Sequence, residues 1–194
     1  MLAPWQFSVL NSEAWRTQYW VRWVLDTYYQ LTHDGVPGND DFGELNGWAV
    51  WACLGLYPLT ATPDARYILS SPCFANVTMQ LPPAAAAAAG YAHATMGASD
   101  AAPLVPLLNI VAHNFSVSNV YVVRATLNGV ALATPFVNHA DLFPPLVVPR
   151  PGEDSRAHAA KLRNAAGPST LEYWLTDTPV VWGSGEPATV PHGW

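Results

Sequence analysis

The chain reads as an α+β protein, a helical hairpin followed by a β-rich half, on three observations. Two aromatic-rich segments in the first third repeat apolar residues at helical spacing. Five β-branched or aromatic runs bounded by Pro, Gly, Ser and Asn follow them. Between them, Asn128-Gly129 is the strongest hairpin signal in the chain.

The first helix is expected from about Glu13 to Leu31, capped by Asn11 or Ser12, with Glu13 favourably placed in its first turn. Trp15, Tyr19, Arg22, Trp23, Asp26 and Tyr29 share or border one face, and Arg22 and Asp26 stand four apart, the spacing of an ion pair. The aromatic stripe reads first as core. His33-Asp34-Gly35 then turns the chain into a Gly/Pro-punctuated loop that delivers Asn39, Asp40 and Asp41 to the mouth of a second helix, Glu44 to Leu56. Leu45, Trp48, Trp51 and Ala52 repeat at helical spacing there, and Gly55 followed by Pro58 supplies the stop. Asp41-Phe42-Gly43-Glu44 has the spacing of a capping box. A cap needs one acid, however, and Asp40 beside Asp41 adds like-charge repulsion. Two helices joined in this way form an αα-hairpin, the repeating unit of an α/α barrel.

Beyond Pro58 the expected strands are Arg66 to Leu69, Asn76 to Leu81, Leu107 to His113, Val117 to Leu127 and Leu171 to Leu175. Ala84 to Ala89 and the polar stretch Pro144 to Gly167 read as surface inserts. The boundaries are a helical hairpin over 1–58 and a β-rich segment over 59–194, with inserts at about 82–104 and 144–168.

Composition narrows the function classes. Only 11% of residues are charged, well below the roughly 25% usual for soluble domains, while 51% are hydrophobic and nine are Trp. With Trp15, Trp20, Trp23, Trp48 and Trp51 on more than one face of two helices, some rings must face water or a further partner. A net charge of −6 and eight scattered Lys and Arg argue against nucleic acid or an anionic membrane surface as partner. No uninterrupted apolar stretch of about 18 residues exists to span a membrane, and Met1-Leu2-Ala3-Pro4-Trp5 lacks the basic start of a signal peptide.

Cys53 and Cys73 match neither zinc nor redox spacing and read as free, buried thiols. The histidines His33, His93, His113, His139, His158 and His192 are spread singly, without metal-ligand spacing. Asn138-His139-Ala140-Asp141 reads as a turn or strand network. Asn76-Val77-Thr78 and Asn114-Phe115-Ser116 are N-glycosylation triplets that suit a secretory-pathway parent.

The stretch PGNDDFGELNGWAVWACLGLYPL, Pro37 to Leu59, resembles the loop-helix motif of the glycoside hydrolase family 92 alpha-mannosidases. TQYWVRWVLDTYY upstream, and RYILSSPCFANVTMQLP, VYVVRATLNGVAL, the Asn138–Leu142 stretch and Leu171–Leu175 downstream, are similar to further parts of the same family. The resemblance implies the last αα-hairpin of an (α/α)6 barrel followed by a closing β-rich, sandwich-like segment. It also implies a C-terminal part of a calcium-dependent, inverting exo-alpha-mannosidase of the mannosyl-oligosaccharide 1,2-alpha-mannosidase type, acting on N-glycan or mannan mannose. Asp41 then matches the general base, with Asp40 as the other candidate, and Asn39 and Glu44 as substrate-binding residues. Asn39, Asp40 and Asp41 are the candidate oxygen ligands for calcium. The general acid lies upstream of Met1 on this reading, so the missing N-terminal part is itself a partner. The rival is a free-standing carbohydrate-binding or interaction module, in which Trp and Tyr stack on sugars and Asp40 and Asp41 bind hydroxyls or an ion.

Overall fold

The computed structural model describes residues 2–59, 65–81, 105–143 and 168–190. Both expected inserts, with His93, His158 and His192, lie almost wholly outside these residues. After a 3-10 stretch, Ala3–Val9, the elements are α1 (Ala14–Tyr28), α2 (Glu44–Leu54), β1 (Leu56–Pro58), β2 (Arg66–Leu69), β3 (Asn76–Leu81), β4 (Val105–His113), β5 (Tyr121–Leu127), β6 (Val130–Ala131), β7 (Phe136–Asn138), α3 (His139–Leu142) and β8 (Ser169–Thr176). The mixed helix and sheet class read from the sequence is the class observed.

The strands form two sheets. In the smaller, β2 lies between β1 and β7 and pairs antiparallel with both. In the larger the order is β3-β4-β8-β5-β6, and β4 with β8 is a parallel pair in an otherwise antiparallel sheet. The Asn128-Gly129 turn joins β5 to β6 with φ of 52° and 81°, the paired left-handed conformation that makes such a dipeptide a tight hairpin.

β2 explains how the layers stack. Tyr67 and Leu69 pack with Leu108, Ile110, Val122, Leu171, Tyr173 and Leu175 on the inner face of the larger sheet. Ile68, pointing the other way, packs with Trp5, Val21, Leu25, Trp48 and Ala52 of the N-terminal stretch and the two helices. The small sheet therefore sits between the helices and the larger sheet, which is why Tyr67-Ile68-Leu69 is apolar throughout rather than alternating.

Two joints fix the helices to this frame. The buried Gln18 side chain accepts a hydrogen bond from the Val122 N–H at 2.9 Å, tying α1 to β5. Gln18→Leu, which leaves that buried N–H without a partner, is expected to cost about 1–3 kcal/mol in urea unfolding. The second joint is Gly55, which ends α2 at φ 72° as its pattern predicts. Its carbonyl accepts from Ser70 N–H at 2.9 Å and from the Tyr173 hydroxyl at 3.0 Å. A Cβ there would come within 2.7 Å of the Ser70 carbonyl oxygen, so the close approach as well as the left-handed turn requires glycine.

α1 is shorter than its pattern suggests. No side chain caps its start, and it stops at Tyr28. The following turn is closed by Gln30 N–H to Gly35 O at 2.9 Å and Gly35 N–H to Thr32 O at 3.1 Å. The spacing of Arg22 and Asp26 is not used for an ion pair. Arg22 instead donates to the Pro72 carbonyl at 2.9 Å, a backbone acceptor in the segment between β2 and β3. Glu13 pairs with Arg16 at 2.5 Å. Among the described residues no helix is long and apolar enough to cross a membrane.

Candidate active-site loop

The loop between α1 and α2 folds differently from a simple capping box. Asp41–Gly43 forms a single 3-10 turn in which Phe42 has φ 58° and Gly43 φ 79°. These two left-handed residues turn the chain back on itself, so the acid that reaches the helix start is Asp40 rather than Asp41. Asp40 Oδ1 accepts from the backbone N–H of Leu45 at 2.7 Å and of Asn46 at 3.0 Å, and Oδ2 accepts from the Asn46 side-chain amide. Gly43 occupies the formal cap position and makes no side-chain bond. The expected Asp41–Glu44 box is thus replaced by an Asp40 cap.

The Asn46 backbone bond, its side-chain amide and the Leu45 N–H hold the Asp40 carboxyl below its ordinary value, outweighing desolvation. Because its pKa is lowered on folding, its contribution to stability is fully present above the ordinary carboxylate range and is lost as pH falls through the lowered value. A scan of melting temperature against pH should show an acid limb that flattens in Asp40→Asn, whose side-chain oxygen keeps the cap without titrating.

Tyr29 anchors the same helix start, donating its hydroxyl to the Leu45 carbonyl at 2.9 Å. Its ring stacks on Trp48 at 5.6 Å with 12° between planes. Burial, and then the Asp40 charge, raise the Tyr29 pKa, and burial followed by Glu44 does the same for Tyr57. Both phenols therefore hold their protons at neutral pH, and Tyr29 keeps its bond to Leu45.

Asn39, Asp41 and Glu44 are exposed, and none makes a side-chain hydrogen bond among the described residues. Phe42, which the sequence pattern does not single out, is fully exposed next to Asp41. An exposed aromatic held in left-handed backbone costs of order 1–3 kcal/mol and is concentrated at functional sites. No local propensity announces it, since phenylalanine disfavours that conformation.

The remaining candidates lie elsewhere. His139 begins α3 and meets the Tyr67 hydroxyl through Nδ1 at 2.9 Å, while Asn138 donates to Asp141 at 2.8 Å, so this stretch is a helix-start network. His113 bonds Glu172 at 2.9 Å and stacks on Trp174, whose ring also lies beneath the Arg124 guanidinium at 3.7 Å. That cluster is on the larger sheet, on β4, β5 and β8, and no loop carboxylate joins it. Asn76 begins β3, and Asn114 turns at φ 59° just after β4; both are exposed. No group of three or more His, Cys, Asp or Glu among the described residues is placed to hold a metal ion.

Comparison with known proteins identifies the family and the fold. The model of the glycosyl hydrolase family 92 catalytic domain matches residues 1–144. No curated protein matches by sequence. In structure the chain is similar to the family GH92 alpha-mannosidase BT3965 from Bacteroides thetaiotaomicron in complex with mannoimidazole, at 20% identity and a TM-score of 0.60 over 93% of this chain and 18% of that one. It is also similar to the inverting mannosidase BT2199 of the same organism, at 21% identity and a TM-score of 0.56 over 92% and 18%. For the GH92 glycosyl hydrolase ccman5 the values are 18% identity and a TM-score of 0.62, over 96% of this chain and 22% of that one. The chain spans about a fifth of the length of these relatives. With three quarters of its residues inside the family model and its fold shared with these enzymes, the chain belongs to glycosyl hydrolase family 92.

Proposed function

We propose that the chain is the C-terminal part of an inverting exo-alpha-mannosidase of the 1,2-alpha-mannosidase type, and that Asp41 is its general base. The observation that carries the assignment is the division of labour in the loop. Asp40 spends both carboxylate oxygens on the start of α2, whereas its neighbour Asp41 is exposed and makes no side-chain hydrogen bond among the described residues. Inversion needs a carboxylate that activates water on one face of the sugar and an acid that protonates the leaving oxygen on the other, about 6.5–9.5 Å apart. Asp41 supplies the first. Asn39 and Glu44 beside it offer an amide and a carboxylate to sugar hydroxyls, and exposed Phe42 adds an apolar ring that can pack on a sugar face.

The acid is proposed to come from the upstream part of the enzyme, together with the other hairpins of an (α/α)6 barrel. Trp20, Trp23 and Tyr28 support that placement. They form an edge-to-face ladder along α1, at 5.3 and 5.5 Å, and Trp23 and Tyr28 are exposed. On this reading the ladder is the seat of the neighbouring barrel helices.

Calcium dependence is general in the family. Calcium takes six to eight oxygen ligands, and the loop does not make such a site alone, because the Asp40 oxygens are engaged and only Asn39, Asp41 and Glu44 remain. No step is therefore assigned to the ion through this chain.

The test is hydrolysis. The purified 194-residue chain should release no mannose above background from an aryl alpha-mannoside, and co-expression with the upstream part should confer turnover. Turnover by the chain alone, abolished in Asp41→Asn, would place the acid within this chain. Mannoside binding without turnover in both preparations would instead favour the carbohydrate-binding module.

A further inference from the structure

The structure brings together two cysteines that the glycosidase reading leaves unused. Cys53 lies in the last turn of α2 and Cys73 in the segment between β2 and β3; both are free and half-buried. The Cys73 N–H donates to the Cys53 carbonyl at 2.8 Å, and the Ser70 N–H to the Gly55 carbonyl at 2.9 Å. Two backbone bonds therefore fix the end of α2 against residues 70–73. With standard bond lengths and the trigonal angle at the Cys53 carbonyl carbon, the two Cα atoms lie within about 6.7 Å. That is inside the span of about 4.4–6.8 Å that a disulfide bridges. The two thiols are close enough for each to dominate the other's ionisation.

The charged groups facing the pair are Arg22 and Asp26, both from α1. Arg22 is held in place by its bond to the Pro72 carbonyl, next to Cys73. The Cys73 hydrogen bond is the largest influence on Cys53 and, with Arg22, outweighs burial and Asp26 to lower it from 9.0 to about 7. The same hydrogen bond and burial push Cys73 up. Cys53 is also the less deeply buried of the two, so it is the thiol placed to meet a dissolved disulfide first.

We propose that Cys53 and Cys73 form a paired-thiol modification site, at which Cys53 attacks a low-molecular-weight disulfide and Cys73 resolves the adduct into an intramolecular disulfide. With glutathione disulfide, the Cys53 thiolate attacks one sulfur, the S–S bond breaks, a Cys53–glutathione disulfide forms and one glutathione thiolate leaves. Cys73 then gives up its proton and attacks Cys53 Sγ, and the second glutathione leaves. Two protein thiols are oxidised, one glutathione disulfide is reduced to two thiols, and the two protein protons end on them. The product links the C-terminal turn of α2 covalently to the segment ahead of β3. This inference is independent of the glycosidase reading.

The experiment treats the full chain with glutathione disulfide under native conditions and follows intact mass. The wild type should end two hydrogens lighter with no adduct. Cys73→Ser should stop at one glutathione on Cys53, and Cys53→Ser should react at least about tenfold more slowly at neutral pH. A stable adduct on the wild type, or equal rates for the two variants, would overturn the proposal. Should either variant not fold, the ring-closure equilibrium of the wild type decides: it should be at least about tenfold more favourable in buffer than in urea, and equal constants would contradict a preformed pair.

Discussion

Trp48→Ala is expected to cost about 3–5 kcal/mol of folding stability, the range for removing a large buried aromatic. Trp48 is only 2% exposed and joins three pieces of the chain. Its ring meets Trp5 edge-on at 6.3 Å, and Trp5 in turn stacks on Tyr57 at 4.8 Å. On another side it carries Tyr29, the residue whose hydroxyl holds the first turn of α2. The loss should therefore have a local signature beyond the global one. Amide exchange at Leu45 and Asn46 should quicken more in Trp48→Ala than in Gln18→Leu, because only the first removes the support behind the loop. Denaturant unfolding together with residue-resolved exchange measures both. A cost under about 1 kcal/mol would mean that the N-terminal stretch and α2 do not share one core.

Much of this frame is legible from residue pattern alone. Arg66–Leu69 and Asn76–Leu81 are strands at their expected bounds, Asn128-Gly129 turns as that dipeptide does, and Gly55 ends α2. Each of these signals is local, a matter of β-branched runs or of glycine tolerating positive φ. β1 and β7 were not legible, since at three residues each they carry no period and exist because β2 pairs with both. The 3-10 stretch Ala3–Val9 owes its place to Trp5, whose burial is decided by residues far along the chain.

The site was half legible. Sequence locates the loop and its acids, but which acid caps the helix depends on the left-handed backbone at Phe42, a conformation that phenylalanine does not favour locally. For the same reason the roles of Asp40 and Asp41 could not be separated by spacing. The proximity of Cys53 and Cys73, and the turn of Arg22 towards Pro72, are tertiary facts with no local signature.

The second large effect concerns catalysis. In the enzyme restored by its upstream part, Asp41→Ala should lower kcat by about 10²–10⁴-fold, the usual contribution of a positioned general base. Folding should change little, because Asp41 is exposed and holds no hydrogen bond among the described residues. Asp40→Ala should act in the opposite sense. It removes the acceptor of two backbone N–H groups and should lower thermal stability, with kcat falling only as far as the loop loosens. Glu44→Gln should raise KM more than it lowers kcat if Glu44 holds a sugar hydroxyl.

The most direct measurement is therefore kcat and melting temperature side by side for Asp41→Asn and Asp40→Asn in the restored enzyme, with an aryl alpha-mannoside as substrate. The account predicts that Asp41→Asn melts like the wild type with kcat reduced at least about a hundredfold, while Asp40→Asn keeps most of its turnover and loses its acid limb. Full turnover in Asp41→Asn with loss of turnover in a well-folded Asp40→Asn would contradict it, and would move the base to the residue assigned here as the helix cap.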